Sequence, residues 1–257
     1  MNEKHFGRCV HRDLMSTDPE ASRAFFEGLF GWTARVSEPG GEQSRHLRLE
    51  QGDRTVAALI SLDPSLGAPS HFVPYFAVGD VDAVCQAAEA RGGSVCHGPM
   101  DLGSAGRWAL INDPGGGLFT AWCGTEPYPD PPAPEQSEGL FGWEQLLAVD
   151  AVRESSFYAA TLGWSVREVD MGGSPYFLLD AGPIEVAGCL PKPPGTPGPS
   201  SWLSYVGVAD VDGCAARATE LGGAIYVAPS DIPGVGRFAV LADPTGAMFA
   251  VFRPTAG

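Results

Sequence analysis

The sequence repeats one long pattern. Residues 25–32 read F-F-E-G-L-F-G-W, and residues 157–164 read F-Y-A-A-T-L-G-W. A second pattern of sixteen residues, beginning at Pro99, recurs with small changes from Pro229. The copies are offset by 132 residues at the first pattern (157 minus 25) and by 130 at the second (229 minus 99). Because chance similarity would not keep register over this distance, we predict a tandem duplication of one unit of roughly 120 residues.

A proline-rich segment separates the two copies. Residues 124–134 read G-T-E-P-Y-P-D-P-P-A-P, and proline, which lacks a backbone donor and fixes φ, excludes a helix or a central strand there. We therefore predict two domains, residues 1–124 and residues 139–257, joined by a linker at 125–138. A chain of 257 residues, 44% of them hydrophobic, is long enough to bury two cores.

Within each copy the pattern predicts an α+β unit. Thr17 or Asp18 can cap a first helix, and a second helix should begin near Asp80 and end at the glycines 92–93. Short runs rich in β-branched and aromatic residues surround these helices, and the turn D-P-G-G at 113–116 precedes the last of them. Each half is thus predicted to hold two βαβββ modules.

Together these motifs resemble the vicinal oxygen chelate superfamily of glyoxalases, bleomycin resistance proteins and dioxygenases. The shared features are the helix end F-Y-x-x-L-x-G-W, the helix start V-x-D-V-D, the paired glycines and the D-P-x-G turn, in the same order in both halves. The resemblance covers nearly the whole chain. It implies an α+β fold in which a tandem pair of domains, four βαβββ modules in all, forms two cup-shaped antiparallel sheets that hold a divalent metal or another small ligand. The motifs themselves cap helices and shape turns, so they do not indicate a reaction.

The ligands that the resemblance implies for a metal are mostly missing. Metal-using members supply His, Gln and Glu side chains from the first and last strands of their modules. His11 lies at the first of these positions, and the second half has Trp143 there. The other positions fall at residues that replace the usual ligands: Val73, Thr120, Leu203 and Ala250. Because one imidazole alone binds a divalent ion weakly, we predict no metal and no cofactor.

One alternative metal site in the first half stays open. His71 lies two residues before Val73, on the same strand face, and could join His11 and Asp13. All five histidines precede residue 100, which excludes a site of two histidines and one carboxylate in the second half.

Strand alternation predicts which side chains line the two cups. The side chains expected to line them are His11, Asp13, Thr120 and Trp122 in the first cup and Trp143, Gln145, Ala250 and Phe252 in the second. Such a lining, aromatic with a few polar groups, is typical of a small-molecule pocket. Trp202 and Tyr205 could form a rim over the second cup, or they could pack in the core.

Three functions are compatible with these residues. The missing ligands, the aromatic lining and the acidic charge favour a metal-free protein that binds a small aromatic or cationic organic molecule. The alternative is an enzyme, a lyase, isomerase or hydroxylase-like activity on a small metabolite, in which His11 takes a proton and Asp13 orients it. The third is a scaffold whose cups are vestigial and whose surface binds a protein.

Residues that recur in both halves are expected to be structural. Arg107 and Arg237 follow matched glycines, and we predict that they pair with Asp101 and Asp231 rather than with a ligand.

Composition narrows the range of partners and compartments. A formal net charge of −15 argues against nucleic acid, because binding to its backbone needs clustered Lys and Arg. No apolar run approaches the roughly 18 residues of a membrane helix, and the N-terminus lacks the layout of a signal peptide. The six cysteines show no C-x-x-C spacing, so free thiols are expected. We expect a cytoplasmic protein with a small-molecule partner, either a monomer or a homodimer.

Overall fold

The computed structural model describes residues 6–36, 47–63, 65, 67–125, 128, 137–171 and 175–255. His5, His46 and most of the predicted linker lie outside these residues. The helices are α1 (Pro19–Phe30), α2 (Val81–Glu89), α3 (Ala151–Leu162) and α4 (Val211–Glu220). The strands are β1 (Cys9–Ser16), β2 (Thr33–Val36), β3 (Leu47–Gln51), β4 (Arg54–Ser61), β5 (His71–Ala77), β6 (Ser94–Asp101), β7 (Gly106–Asn112), β8 (Leu118–Gly124), β9 (Phe141–Ala148), β10 (Ser165–Asp170), β11 (Pro175–Ala181), β12 (Ile184–Pro191), β13 (Ser201–Gly207), β14 (Ala224–Ile232), β15 (Gly236–Ala242) and β16 (Met248–Pro254).

The strands form two eight-stranded sheets with the same order of elements. The first sheet runs β2-β3-β4-β1-β5-β8-β7-β6, and the second runs β10-β11-β12-β9-β13-β16-β15-β14. This repetition confirms the predicted α+β fold of four βαβββ modules. The pairing is mixed rather than wholly antiparallel, since β1 runs parallel to β4 and β5 runs parallel to β8. A crossover that contains a helix brings the chain back in the same direction, which makes such parallel pairs.

All four helices begin as their sequence signals predict, whereas α2 ends at Glu89, before the predicted stop at the glycines 92–93. Each begins after an aspartate whose carboxylate accepts a hydrogen bond from the backbone N–H three residues later; these caps are Asp18, Asp80, Asp150 and Asp210. Helices α1 and α3 end at Gly31 and Gly163, which have φ of 70° and 72°. This left-handed backbone favours glycine. Among the described helices, none is both long enough and apolar enough to cross a membrane.

The chain divides into two compact units, and each unit combines one module from each half of the sequence. Unit 1 comprises residues 1–11, 73–130 and 143–203, whereas unit 2 comprises residues 12–72, 131–142 and 204–257. Unit 1 therefore holds α2 and α3, and unit 2 holds α1 and α4. The sheets follow the two halves of the sequence and the units do not, so the domain boundaries set at residues 124 and 139 stay a prediction.

Each unit has a hydrophobic core of its own. In unit 1, Phe76 and Phe119 from the first half pack in one cluster with Phe157 and Tyr158 from the second. In unit 2, large side chains of α1 and its surroundings pack with residues of the last module: Phe25, Phe26, Trp32, Val206 and Phe249. The helix and one face of the sheet in each module thus enclose the core, which leaves the other face of the sheet for function.

Candidate ligand-binding faces

Alternation along the strands separates core side chains from those on the opposite face of each sheet. In β8, Phe119 and Ala121 are fully buried in the core, so Thr120 and Trp122 point to the other side. In β16, Phe249 and Val251 are buried in the same way, so Phe252 lies with Ala250 on the other side. We call the side that carries Thr120 and Trp122, or Ala250 and Phe252, the cup face of its sheet.

An aromatic row crosses the part of the first cup face that belongs to unit 1. Trp122 lies opposite Trp108 in the strand ladder, and its ring centroid is 6.3 Å from that of Tyr75. The ring of His11 meets Tyr75 edge-on at 5.1 Å, and the ring of His97 packs on Trp108 at 5.3 Å. We call these five residues the aromatic row. Except for His97, which is exposed, they are half-buried, so they offer accessible ring surface to a ligand.

Two buried polar atoms on this cup face have no hydrogen-bond partner among the described residues. They are Nε1 of Trp108 and Oγ1 of Thr120. A buried polar group without a partner costs about 1–3 kcal/mol. The second sheet has Phe238 and Ala250 at the equivalent positions, whose side chains need no hydrogen bond. The two cup faces have therefore diverged in what they can bind.

His11 and Asp13 are two residues apart on β1, so alternation places them on the same face of the strand. His11 is half-buried in the aromatic row, and Asp13 is 8% exposed, opposite Ala58 of β4. The imidazole Nδ1 of His71 lies 2.8 Å from the carbonyl oxygen of Pro69. Among the described residues, no group of three or more His, Cys, Asp or Glu side chains is placed to hold a metal ion. The alternative site of His11, His71 and Asp13 thus has no support.

Strand register adds two tyrosines to the cup faces. Tyr75 lies opposite Thr120, and Tyr205 lies opposite Ala250. These pairings cannot be obtained by counting from helix caps, because register is set by pairing between distant strands. The side chains at these paired positions are phenols, a hydroxyl and a methyl group. Such a donor set does not fit a divalent metal.

On the second sheet, Trp143 and Gln145, which were predicted to line the cup, form hydrogen bonds with Tyr176, which was not predicted. Tyr176 Oη donates to Gln145 Oε1 at 3.4 Å, and the indole of Trp143 hydrogen-bonds to the same phenol. Burial raises the pKa of Tyr176 to about 12, so the phenol stays neutral at ordinary pH. Gly188 lies directly against this hydroxyl. The alternation along β11, in which buried Phe177 and Leu179 flank the cup-facing positions, is the signal that could have found Tyr176.

Trp202 packs in the core and does not form a rim over the second cup. It is 5% exposed, and its Nε1 donates to Tyr158 Oη at 3.0 Å. The neighbouring Leu203 faces the cup, so alternation turns Trp202 toward the helices. Tyr205 is buried on the cup face in unit 2, where its ring meets Phe252 at 6.4 Å.

The recurring arginines have the structural role that was predicted. Arg107 Nη1 lies 3.0 Å from Asp101, and Arg237 Nη1 lies 3.0 Å from Asp231. Each arginine also pairs with an aspartate of the preceding helix, at 2.8 Å for Asp82. These bonds tie the β7 and β15 strands to α2 and α4, so the arginines are committed to the scaffold.

The fold and a match to a family model define the class of this protein. The family model for the glyoxalase/bleomycin resistance protein/dioxygenase superfamily matches residues 6–120 and 145–251. The chain belongs to this superfamily.

Particular relatives are similar over nearly the full length. The chain is 37% identical over 249 residues to a protein of Mycobacterium bovis named putative glyoxylase CFP32, with 94% of this chain and 93% of that protein covered. It is 35% identical over 260 residues to the anthracycline biosynthesis protein DauV of Streptomyces sp. strain C5, with 93% and 90% covered.

Solved structures share the fold at lower identity. The Mn(II)-bound glyoxalase of Novosphingobium aromaticivorans superposes with a TM-score of 0.66 at 19% identity, covering 96% of this chain and 82% of that one. The 2,3-dioxygenase LapB of Pseudomonas sp. KL28 gives a TM-score of 0.65 at 14% identity, with 96% and 93% covered.

Proposed function

We propose that this protein binds a small, flat aromatic molecule on the cup face of its first sheet, without using a metal ion. The aromatic row carries the proposal. Five rings follow one another across neighbouring strands, with centroids 5.1 to 6.3 Å apart where they touch. A flat ring system placed on them would gain buried apolar area and about 0.5–1.5 kcal/mol for each ring contact beyond that area.

Charge favours a cationic ligand over an anionic one. The chain has 31 acidic and 16 basic side chains, and several of the arginines are already paired, as Arg107 and Arg237 are. The resulting negative potential attracts cations and repels anions. An amine on the flat ligand would therefore strengthen its binding.

The names of two relatives agree with a flat ligand. DauV and its Streptomyces peucetius counterpart DnrV, which is 34% identical to this chain, are anthracycline biosynthesis proteins. Anthracyclines are built on fused, flat rings. The metal in the Mn(II)-bound glyoxalase is a poor guide here, because the described residues bring together no group of three or more His, Cys, Asp or Glu side chains.

A titration with (aminomethyl)anthracene, a flat aromatic cation, tests the proposal. We expect saturable one-to-one binding, followed by quenching of tryptophan fluorescence and unchanged by prior treatment with a chelator. Cyclohexylmethylamine, a cation without an aromatic ring, should not bind. Trp122→Ala should weaken binding of the anthracene about tenfold or more, since it removes a ring of the row. Phe252→Ala, the matched change on the second sheet, should leave it intact. Absence of saturable binding by the wild-type protein would refute the proposal.

An enzymatic role for His11 and Asp13 remains the second candidate. It draws support from the relative named putative glyoxylase, and a neutral imidazole can act as a base near pH 7. Asp13→Asn, at a residue outside the aromatic row, separates the two candidates. Loss of turnover with binding intact in this variant would favour an enzyme, whereas a protein that only binds and releases its ligand shows no turnover even as wild type.

A further inference from the structure

We infer that the ligand of the first cup face is a flat ring ketone or quinone, whose carbonyl oxygen accepts hydrogen bonds from Trp108 Nε1 and Thr120 Oγ1. This inference rests on the proposed function and adds to it a hydrogen-bond acceptor at the edge of the ligand. Aromatic stacking alone would accept any flat ring. Two donors without partners select for one that carries an acceptor.

The first observation is the indole N–H of Trp108. An indole nitrogen can only donate, and two of the three buried tryptophans find an acceptor in the part of the chain that the structure describes, Trp164 being the exception. Trp32 Nε1 donates to the carbonyl oxygen of Gly139 at 2.7 Å, and Trp202 Nε1 donates to Tyr158 Oη at 3.0 Å. Trp108 Nε1 is enclosed on the cup face with no such partner among the described residues. A ligand acceptor would recover the cost of leaving this donor unpaired.

The second observation is the hydroxyl of Thr120, on the neighbouring strand and the same face. Thr120 is 1% exposed, and its Oγ1 also lacks a partner. It lies opposite Leu110, two residues along β7 from Trp108. The other two unpaired buried atoms in the described residues, Thr161 Oγ1 and Trp164 Nε1, lie at the end of α3 and in the core of unit 1, away from the cup face.

One exposed side chain packs against the indole of Trp108. The ring of His97 packs against Trp108 at 5.3 Å and is tilted by 39°. His97 belongs to β6, which is the edge strand of the first sheet. Exposed side chains change rotamer within nanoseconds, so His97 can move aside when a ligand stacks on Trp108.

The shape of the ligand follows from the geometry of an indole. Its N–H lies in the plane of the ring, so the acceptor must approach at the ring edge rather than over its face. A carbonyl oxygen at the rim of a flat ligand can do so while the rest of the ligand stacks on the aromatic row. The second sheet has Phe238 and Ala250 in place of Trp108 and Thr120, so this selection belongs to the first sheet alone.

The test compares two amines that differ in one respect. (Aminomethyl)anthraquinone carries ring carbonyls, and (aminomethyl)anthracene, substituted at the same carbon, does not. We expect wild-type protein to bind the quinone at least about tenfold more tightly, a factor that two hydrogen bonds of ordinary net strength supply. Trp108→Phe, the residue that the second copy carries, should reduce this preference, because it removes one of the two donors and so raises the Kd of the quinone more than the Kd of the anthracene. Trp122→Phe is the control, since it should change the Kd of both probes alike.

The outcomes separate this inference from the proposed function. If neither probe binds the wild-type protein, the proposed function fails. If both bind and the quinone is not preferred, or if Trp108→Phe weakens both equally, the selection for a carbonyl is wrong while aromatic binding stands. Circular dichroism and urea denaturation check that each variant is folded. Should Trp108→Phe not fold, Thr120→Ala decides, because a preference for the quinone that this variant leaves undiminished would overturn the inference.

Discussion

At the residue scale, burial raises the pKa of one carboxyl group, that of Asp113. Asp113 Oδ1 accepts hydrogen bonds from the backbone of Gly115 and Gly117, both at 2.8 Å, and its Oδ2 accepts one from Tyr158 Oη at 2.9 Å. Removal from water, together with the nearby negative charge of Glu154, raises the pKa of Asp113 to about 6. The turn before β8 thus contains a group that titrates just below neutral pH.

Asp113→Asn should remove a pH dependence from the stability of the protein. The pKa of Asp113 is higher in the folded chain than in the unfolded chain, so its contribution to stability is complete below about pH 4 and is lost as the pH rises through about 6. We expect the free energy of unfolding of wild type minus that of the variant to fall by about 2 kcal/mol between about pH 4 and pH 7. Urea denaturation at the two pH values measures it.

A variant of Tyr158 is the control, because it should raise the pKa of Asp113 further instead of removing the carboxyl group. The hydrogen bond from Tyr158 lowers the pKa of Asp113, so Tyr158→Phe should move the same loss of stability to higher pH. If the difference between wild type and Asp113→Asn is the same at both pH values, then Asp113 does not titrate as its burial implies.

At the scale of the elements, three strands of the second sheet approach closely around one glycine. Gly188 of β12 pairs with Gln145 of β9 and with Leu178 of β11. A Cβ at this position would overlap the hydroxyl of Tyr176, which the indole of Trp143 also holds. The absence of a side chain at 188 is therefore what lets the phenol reach across the strands.

Gly188→Ala should destabilise the protein by about 1–3 kcal/mol, since the added methyl group must push Tyr176 away from its hydrogen-bond partners. Chemical denaturation followed by tryptophan fluorescence measures the change. Gly142→Ala is the matched control on a neighbouring strand, because a Cβ there meets no atom within 4 Å. The explanation is wrong if both alanine variants unfold at the same urea concentration.

At the scale of the whole molecule, neither half of the sequence contains a complete core. The core of unit 1 combines Phe76 and Phe119 with Phe157 and Tyr158, which lie on opposite sides of the predicted linker. The core of unit 2 likewise draws on the first and the last modules. Separating the halves would expose these apolar side chains to water, at about 25 cal/mol for each Å².

A fragment of residues 1–124 should therefore fail to fold as a monomer. We expect it to aggregate or to unfold without a cooperative transition, whereas co-expression with residues 139–257 should restore a soluble complex that unfolds cooperatively. Size-exclusion chromatography and thermal unfolding of the separate and combined fragments measure this. A cooperative, monomeric 1–124 fragment would show that one half is self-sufficient.

Local signals in the sequence were enough to predict the modules and to place half of the residues of the candidate site. Aspartate caps, terminal glycines and alternating strands depend on neighbouring residues only, so Asp18, Gly31, Thr120 and Trp122 could be placed from the sequence. The repeat added a second copy of each signal, and that agreement is why the superfamily could be recognised.

Only the tertiary structure decided which distant residues meet. The sequence does not show that Tyr75 lies opposite Thr120, that Trp202 turns into the core, or that Tyr176 bridges Trp143 and Gln145. Register and core composition depend on contacts between segments far apart in the chain, and many pairings satisfy the same local pattern. The physical reason is that alternation along a strand determines only which side chains share a face. The residues that this face contacts are determined by packing against the other half of the sequence.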